Sequence, residues 1–200
     1  MNTSDMIAHY DLLIDEGNDP VHDPEPLRSY MDKWDGQPFI DKMRLDNTKS
    51  VLEIGVGTGR LALRTAPLCG SFTGIDLSPK TVERAKANLS HLPNITVVNA
   101  DFTTYDFHRK FDVIYSSLTF MHIQNKQSAI TKISSLLNTG GAFLLSIDKN
   151  PSDFIDTGTS KLKIYPDDPA GILSCLSFAE LTLTERYETD FAIIFSAAKE

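Results

Sequence analysis

Val51-Leu52-Glu53-Ile54-Gly55-Val56-Gly57-Thr58-Gly59-Arg60 is the stretch of this 200-residue chain that decides its fold. Four residues of buried-strand character run into three glycines spaced two apart, and a helix is expected from about Gly59 to near Pro67, where proline stops it. Glycine brings the backbone close to a ligand because no Cβ intervenes, and it accepts positive φ. The helix start just beyond supplies free N–H groups. Glu53 stands two residues before the first glycine, where a negative charge suits a cationic ligand group and would repel a pyrophosphate. Dinucleotide sites need G-x-G-x-x-G, whose third glycine falls where Arg60 stands. No G-K-[ST] follows, which excludes a phosphate-binding P-loop.

Downstream, strands and helices alternate. Phe72-Thr73-Gly74-Ile75 reads as the second strand, and Ser78-Pro79 opens a helix with a capping serine and proline at its first position. Val82, Ala85 and Leu89 share one face of that helix. Ile95-Thr96-Val97-Val98 is the third strand and residues 111–115 the fourth. A helix follows over 124–137, with Ile130, Ile133 and Leu137 on its apolar stripe. Gly140-Gly141 is expected to end it, before a fifth strand over 142–147. Leu181 and Leu183, then Phe191, Ile193 and Phe195, alternate without an intervening helix and predict an antiparallel hairpin at the sheet edge. The expected fold is therefore α/β: a doubly wound, mainly parallel seven-stranded sheet with an antiparallel C-terminal strand hairpin. Such sheets bind ligands beyond the carboxyl ends of their strands, at the switch point.

The glycine motif, E-x-G-x-G-x-G after the first strand, resembles motif I of the class I S-adenosylmethionine-dependent methyltransferases. Three further positions agree in order. Asp76 ends the second strand, where the family's acid takes the ribose hydroxyls, and Leu77 follows it. Asp101-Phe102 follows the third strand, where similar proteins bind the adenine amino group and ring. Phe111-Asp112-Val113-Ile114-Tyr115-Ser116-Ser117 matches the fourth strand, whose end carries backbone groups toward the methionine moiety. Leu136-Leu137-Asn138-Thr139-Gly140-Gly141 resembles the family's L-K-P-G-G turn, with Thr139 where proline is usual. The resemblance covers roughly residues 45–200. It implies a Rossmann-like methyltransferase fold, S-adenosyl-L-methionine as cofactor, S-adenosyl-L-homocysteine as product, and Glu53, Gly55, Gly57, Asp76, Leu77, Asp101, Phe102 and Ser116 around that cofactor.

Residues 1–45 read as a helical N-terminal lid on a core of 46–200, the whole of 1–200 forming one methyltransferase domain. Helices are expected over 3–14, 26–34 and 38–43, with Asn18-Asp19-Pro20 and Asp23-Pro24-Glu25-Pro26 marking the loop between the first two. Residues 1–41 carry ten acids against Arg28 and Lys33, so they account for the whole net charge of −8. Neither part offers a basic face for phosphate backbones, which argues against nucleic acid. No apolar stretch reaches membrane-spanning length, no secretory signal opens the chain, and Cys69 and Cys175 stand far apart. These features predict a cytoplasmic protein with reduced thiols and no metal site.

Methyl transfer from a sulfonium donor asks mainly for alignment and exclusion of water. A base is needed only where the nucleophile must lose a proton. His122, just past the fourth strand, is the candidate base, with a structural role as the alternative. Tyr10, on the lid, is a candidate for the cofactor's methionine carboxylate, with packing as its alternative; His9 and Trp34 belong to the same layer. His91 and His108 read as surface residues. Residues 149–169, including Tyr165, are expected to form the other wall of a pocket sized for a small-molecule acceptor. An amine acceptor is one expectation from the acidic layer; a solvated acidic face is the ordinary alternative. Ser116-Ser117-Leu118-Thr119 lacks the Asn/Asp-Pro-Pro-Tyr motif of amino-methylating enzymes acting on DNA bases or glutamine, and no Pro-Cys nucleophile of the cytosine C5 type is present. Ser116-Ser117 also supplies no carboxylate pair for aminopropyl transfer. A non-catalytic module that binds S-adenosylmethionine or S-adenosylhomocysteine and regulates a partner fits the same motifs.

Overall fold

The computed structural model describes residues 3–156 and 161–200. Seven strands form one sheet: β1 (Ser50–Ile54), β2 (Ser71–Asp76), β3 (Ile95–Asn99), β4 (Phe111–Ser117), β5 (Leu137–Asp148), β8 (Leu181–Glu188) and β9 (Ala192–Lys199). Their order is β3-β2-β1-β4-β5-β9-β8. The first five are parallel, and β9 and β8 close the edge as the antiparallel hairpin that the alternation predicts.

Alternation along the strands divides the core between two faces. Leu52, Ile54, Ile114, Phe143 and Leu145 pack with Ile130 and Ile133 of α6 (Lys126–Leu136). Val51, Phe72, Val113, Tyr115 and Leu144 pack on the other face. They meet α3 (Gly36–Lys42), α4 (Ala62–Thr65) and α5 (Pro79–Asn88), whose Val82, Ala85 and Leu89 form the stripe read from the sequence. Ser78 caps α5 by accepting from the Thr81 N–H at 3.1 Å. Order reverses between β1 and β4, so the crevice at their carboxyl ends is the switch point.

Three features differ from the sequence reading. α6 ends at Leu136, and β5 runs through Gly140-Gly141 instead of starting after it. Leu137 already pairs with Phe111, and a register shift between Phe111 and Val113 absorbs the extra residues. Helix α7 (Pro169–Phe178), capped by Asp168, lies in a stretch to which the sequence reading assigned no element. The expected loop over 149–169 contains a small hairpin of β6 (Phe154–Asp156) and β7 (Lys161–Lys163); residues 157–160 of that wall, like Met1 and Asn2 of the lid, lie outside the described residues.

Helices α1 (Thr3–Asp15) and α2 (Glu25–Met31), with α3, form the N-terminal layer. Five of its acids, Asp11, Asp15, Asp19, Asp32 and Asp35, meet partners on the core. Asp11 accepts from Ser78 Oγ at 2.6 Å, Asp15 meets Lys80 Nζ at 2.5 Å, and buried Asp19 accepts from Asn88 and pairs with Arg84. Asp32 pairs with Arg64 at 2.8 Å. At the other end, Trp34 Nε1 donates to Asp148 Oδ2 at 2.9 Å and its ring packs on Phe191. Among the described residues no helix is long and apolar enough to cross a membrane.

Candidate cofactor and acceptor site

A cavity of about 560 Å³ opens at the switch point under α1. The glycine loop forms its floor. At Gly55, φ is +78° and an added Cβ would strike the Thr119 side chain, so two constraints select glycine. At Gly57, φ is +55° but a Cβ would meet nothing within 4 Å; that glycine leaves open space toward the cavity. The motif therefore mixes a packing requirement with a ligand-sized gap.

Asp76 sits beside the gap. Its Oδ2 accepts from the Gly57 N–H and its Oδ1 from the Ser78 N–H, both at 3.0 Å. Burial pushes its carboxyl above the usual range, and these backbone donors pull the other way. Asp101 is held by the Thr103 N–H and hydroxyl, each at 2.7 Å, with Phe102 buried next to it. Leu77, Asp101 and Phe102 all line the same cavity.

Glu53 is buried at the loop's root. It accepts from the Tyr115 hydroxyl at 3.0 Å, and Tyr115 in turn meets Thr65 Oγ1 at 2.8 Å. Burial holds the Glu53 carboxyl well above the ordinary range, with Tyr115 and Arg60 opposing. On the roof, Tyr10 Oη lies 2.7 Å from His122 Nε2. Burial depresses the His122 ring to about 4, and Lys126 and His9 add to the effect, so the ring is neutral near pH 7. Its Nδ1 is buried without a hydrogen-bond partner among the described residues. With Tyr10 donating to Nε2, the ring proton belongs on Nδ1.

Residues 51–141 match a family model described as a methyltransferase domain. Among curated proteins, a malonyl-[acyl-carrier protein] O-methyltransferase of Ilyobacter polytropus is 32% identical over 108 residues, covering 52% of this chain and 40% of that protein. An uncharacterized methyltransferase of Anoxybacillus flavithermus is 34% identical over 121 residues, 58% of this chain and 56% of its own length. The chain thus spans about half the length of the curated relatives it matches. A solved structure from Listeria monocytogenes, described as an S-adenosylmethionine-dependent methyltransferase, superposes with a TM-score of 0.71 at 18% identity, over 80% of this chain and 95% of that one. Residues 51–141 thus match a methyltransferase domain, and the seven-stranded sheet has the fold of that solved S-adenosylmethionine-dependent methyltransferase.

Of the residues expected around the cofactor, Tyr10, Glu53, Gly55, Gly57, Asp76, Leu77, Asp101 and Phe102 all face the cavity, and so does His122. Ser116 does not line it. It is fully buried and its hydroxyl donates to the Ile54 carbonyl at 2.9 Å; the neighbouring Ser117 lines the cavity instead. Adjacent strand residues point to opposite faces, so a one-residue offset moves the side chain away.

The sequence reading missed a second cluster. Arg60 forms a two-pronged pair with buried Asp35 at 3.0 and 2.5 Å, and Ser117 Oγ donates to the same carboxylate at 2.8 Å. Asp35 also caps α3 through the Gly36 N–H at 2.7 Å. The pair joins the N-terminal layer to the glycine loop. An acid directly before a glycine at a helix start was its sequence signal.

A second cavity of about 500 Å³ adjoins the first, and Tyr10 and Leu118 line both. Leu118 has φ +54° where β4 gives way to a 3₁₀ turn over Phe120–His122.

Proposed function

We propose that the protein transfers a methyl group from S-adenosylmethionine to a small-molecule acceptor, with residues 1–45 as a lid over residues 46–200. The observation that carries this reading is the half-buried carboxylate of Asp76 facing a cavity beside the open side of Gly57. These donors and acceptors fit the cofactor. Asp76 accepts from ribose hydroxyls, Asp101 from an adenine amino group, and Leu77 and Phe102 supply apolar contact for the ring. The ammonium of the methionine portion goes to the loop end near Glu53.

When bound, the cofactor supplies an activated sulfonium methyl open to in-line displacement. The chain's task is to hold the nucleophile and exclude water. Tyr10, Met6 and Ile7 of α1 cover the cavity for that purpose. Neutral His122, its Nε2 accepting from the Tyr10 hydroxyl, holds α1 over the cavity, which favours the structural role over that of a base. The adjoining cavity favours an enzyme over a binding module, because it gives a second reactant a place next to the first. The activity named for the Ilyobacter relative is not carried over, since this chain covers 40% of that protein.

Calorimetric titration of S-adenosylmethionine and S-adenosylhomocysteine into wild type and Asp76→Ala tests the reading. The expected outcome is binding by wild type and at least about tenfold weaker binding by the variant, a change of about 1.4 kcal/mol. A folded wild-type protein that binds neither compound overturns it.

A further inference from the structure

The methyltransferase reading leaves the second cavity without a ligand. We propose that it is the acceptor site and that it takes a small amine carrying an apolar body, an inference that rests on that reading. Its position follows from the shared wall: Tyr10 and Leu118 face both cavities, so a molecule seated in the second reaches the first at that point. Its chemistry follows from the lining. Asp148, Asp156 and Asp167 all face it, and no lysine, arginine or histidine does among the described residues. Met121 and Phe154 supply apolar surface between these acids.

Asp167 is the most telling of the three. Its side chain is 3% exposed, a burial that carboxylates rarely accept without a positive partner. Lys126 Nζ meets Oδ1 at 2.7 Å and also donates to the Tyr165 carbonyl at 3.0 Å and to that of Phe120. Lys126 is thus anchored to the wall, and the carboxylate is what it presents to the cavity. Lys161 and Lys163 of β7 turn their ammonium groups over the Phe154 and Tyr165 rings. Of the lid acids on which the sequence-based expectation of an amine acceptor rested, Asp11, Asp15, Asp19, Asp32 and Asp35 are occupied by core partners, and the negative lining comes instead from the ends of β5 and β6 and the chain before α7.

An acceptor amine arrives protonated, drawn by these carboxylates. It releases one proton to solvent at the junction. The free nitrogen pair then forms the new C–N bond as the C–S bond breaks, and the electron pair of that bond stays on sulfur. The product leaves as a methylated ammonium. A carboxylate acceptor meets a lining whose charged side chains are all acids, one of them paired with Lys126, and is disfavoured.

Benzylamine, benzyl alcohol and phenylacetate share an apolar body and differ in charge, so they serve as probes. Each is titrated calorimetrically into protein already saturated with S-adenosylhomocysteine, for wild type, Asp156→Asn and Asp167→Asn. The expected result is binding of the amine at least about tenfold tighter than the carboxylate, with the alcohol between. Both variants narrow that gap. Asp156 is exposed, so its variant tests the charge without the folding burden that Asp167→Asn places on Lys126. Equal binding of the three probes, preference for phenylacetate, or no binding of benzylamine overturns the proposal while leaving the methyltransferase reading intact. Failure of S-adenosylhomocysteine itself to bind removes that reading and this one together.

Discussion

The two halves of the site are built by different means. The cofactor half is made of backbone: parallel strands β1, β2 and β3 end side by side, a glycine loop turns over them, and Asp76 is fixed by main-chain N–H groups. The N-terminal layer and the half proposed for the acceptor are held by side-chain tethers reaching across long sequence distances. Tyr10 is tied to His122, Trp34 to Asp148, Asp35 to Arg60, and Lys126 to Asp167. Backbone geometry serves a ligand that is the same for many acceptors. Tethers can be exchanged one at a time, which suits the half that must choose. The contrast predicts that a lost tether costs stability, whereas a blocked glycine loop costs affinity for the cofactor.

The largest effect expected of a broken tether is at Asp35→Ala. It leaves the Arg60 guanidinium, 15% exposed, without its two-pronged partner, and removes the cap of α3 as well. Breaking such a pair costs about 3–5 kcal/mol, because the surviving charge stays desolvated. Denaturant unfolding at neutral pH measures it. A loss under about 1 kcal/mol would mean that Arg60 finds water and that the tether is ornamental.

The glycine loop offers the sharpest contrast within one motif. Gly57→Ala places a methyl group into open space at φ +55°. It is expected to cost about 1–2 kcal/mol of stability while weakening S-adenosylmethionine binding by about tenfold or more. Gly55→Ala carries the same backbone penalty plus a collision with Thr119, a further ~1–3 kcal/mol. Unfolding and titration on both variants separate the two roles. Equal losses of stability would erase the distinction drawn between these glycines.

The same division explains what was legible in the sequence. The strand-glycine run, the Ser78-Pro79 cap and the acids at strand ends follow local rules of period, capping and turn geometry, and the cavity gathers the residues those rules select. Ser116 against Ser117 was a matter of one residue of strand phase, which alternation alone does not anchor at a strand's end. The partnership of Asp35 with Arg60 had no short-range signature beyond a helix cap, since pairing across 25 residues depends on how the layer docks. Helix α7 did carry a local signal. Asp168-Pro169 repeats the cap-and-proline pattern of Ser78-Pro79, but the run of small and apolar residues after it shows little polar–apolar periodicity.

The smallest of these effects isolates one tethered residue by pH. The folded His122 ring titrates near 4, below its ordinary 6.5, so between those values the unfolded chain binds the proton that the native state refuses. Its contribution to stability is therefore fully present above about pH 6.5 and is lost as pH falls toward 4. Replacing the ring by an uncharged amide, His122→Gln, removes that dependence. Wild type should lose about 1 kcal/mol more than the variant between pH 7.5 and 5.5, read from paired denaturant curves. Carboxylates such as Asp76 and Asp167, whose protonation is favoured in the fold, slope the other way and cancel in the comparison of the two proteins. Parallel pH profiles would mean that the His122 ring is charged or hydrated in the fold, and that α1 does not seal the cavity above it.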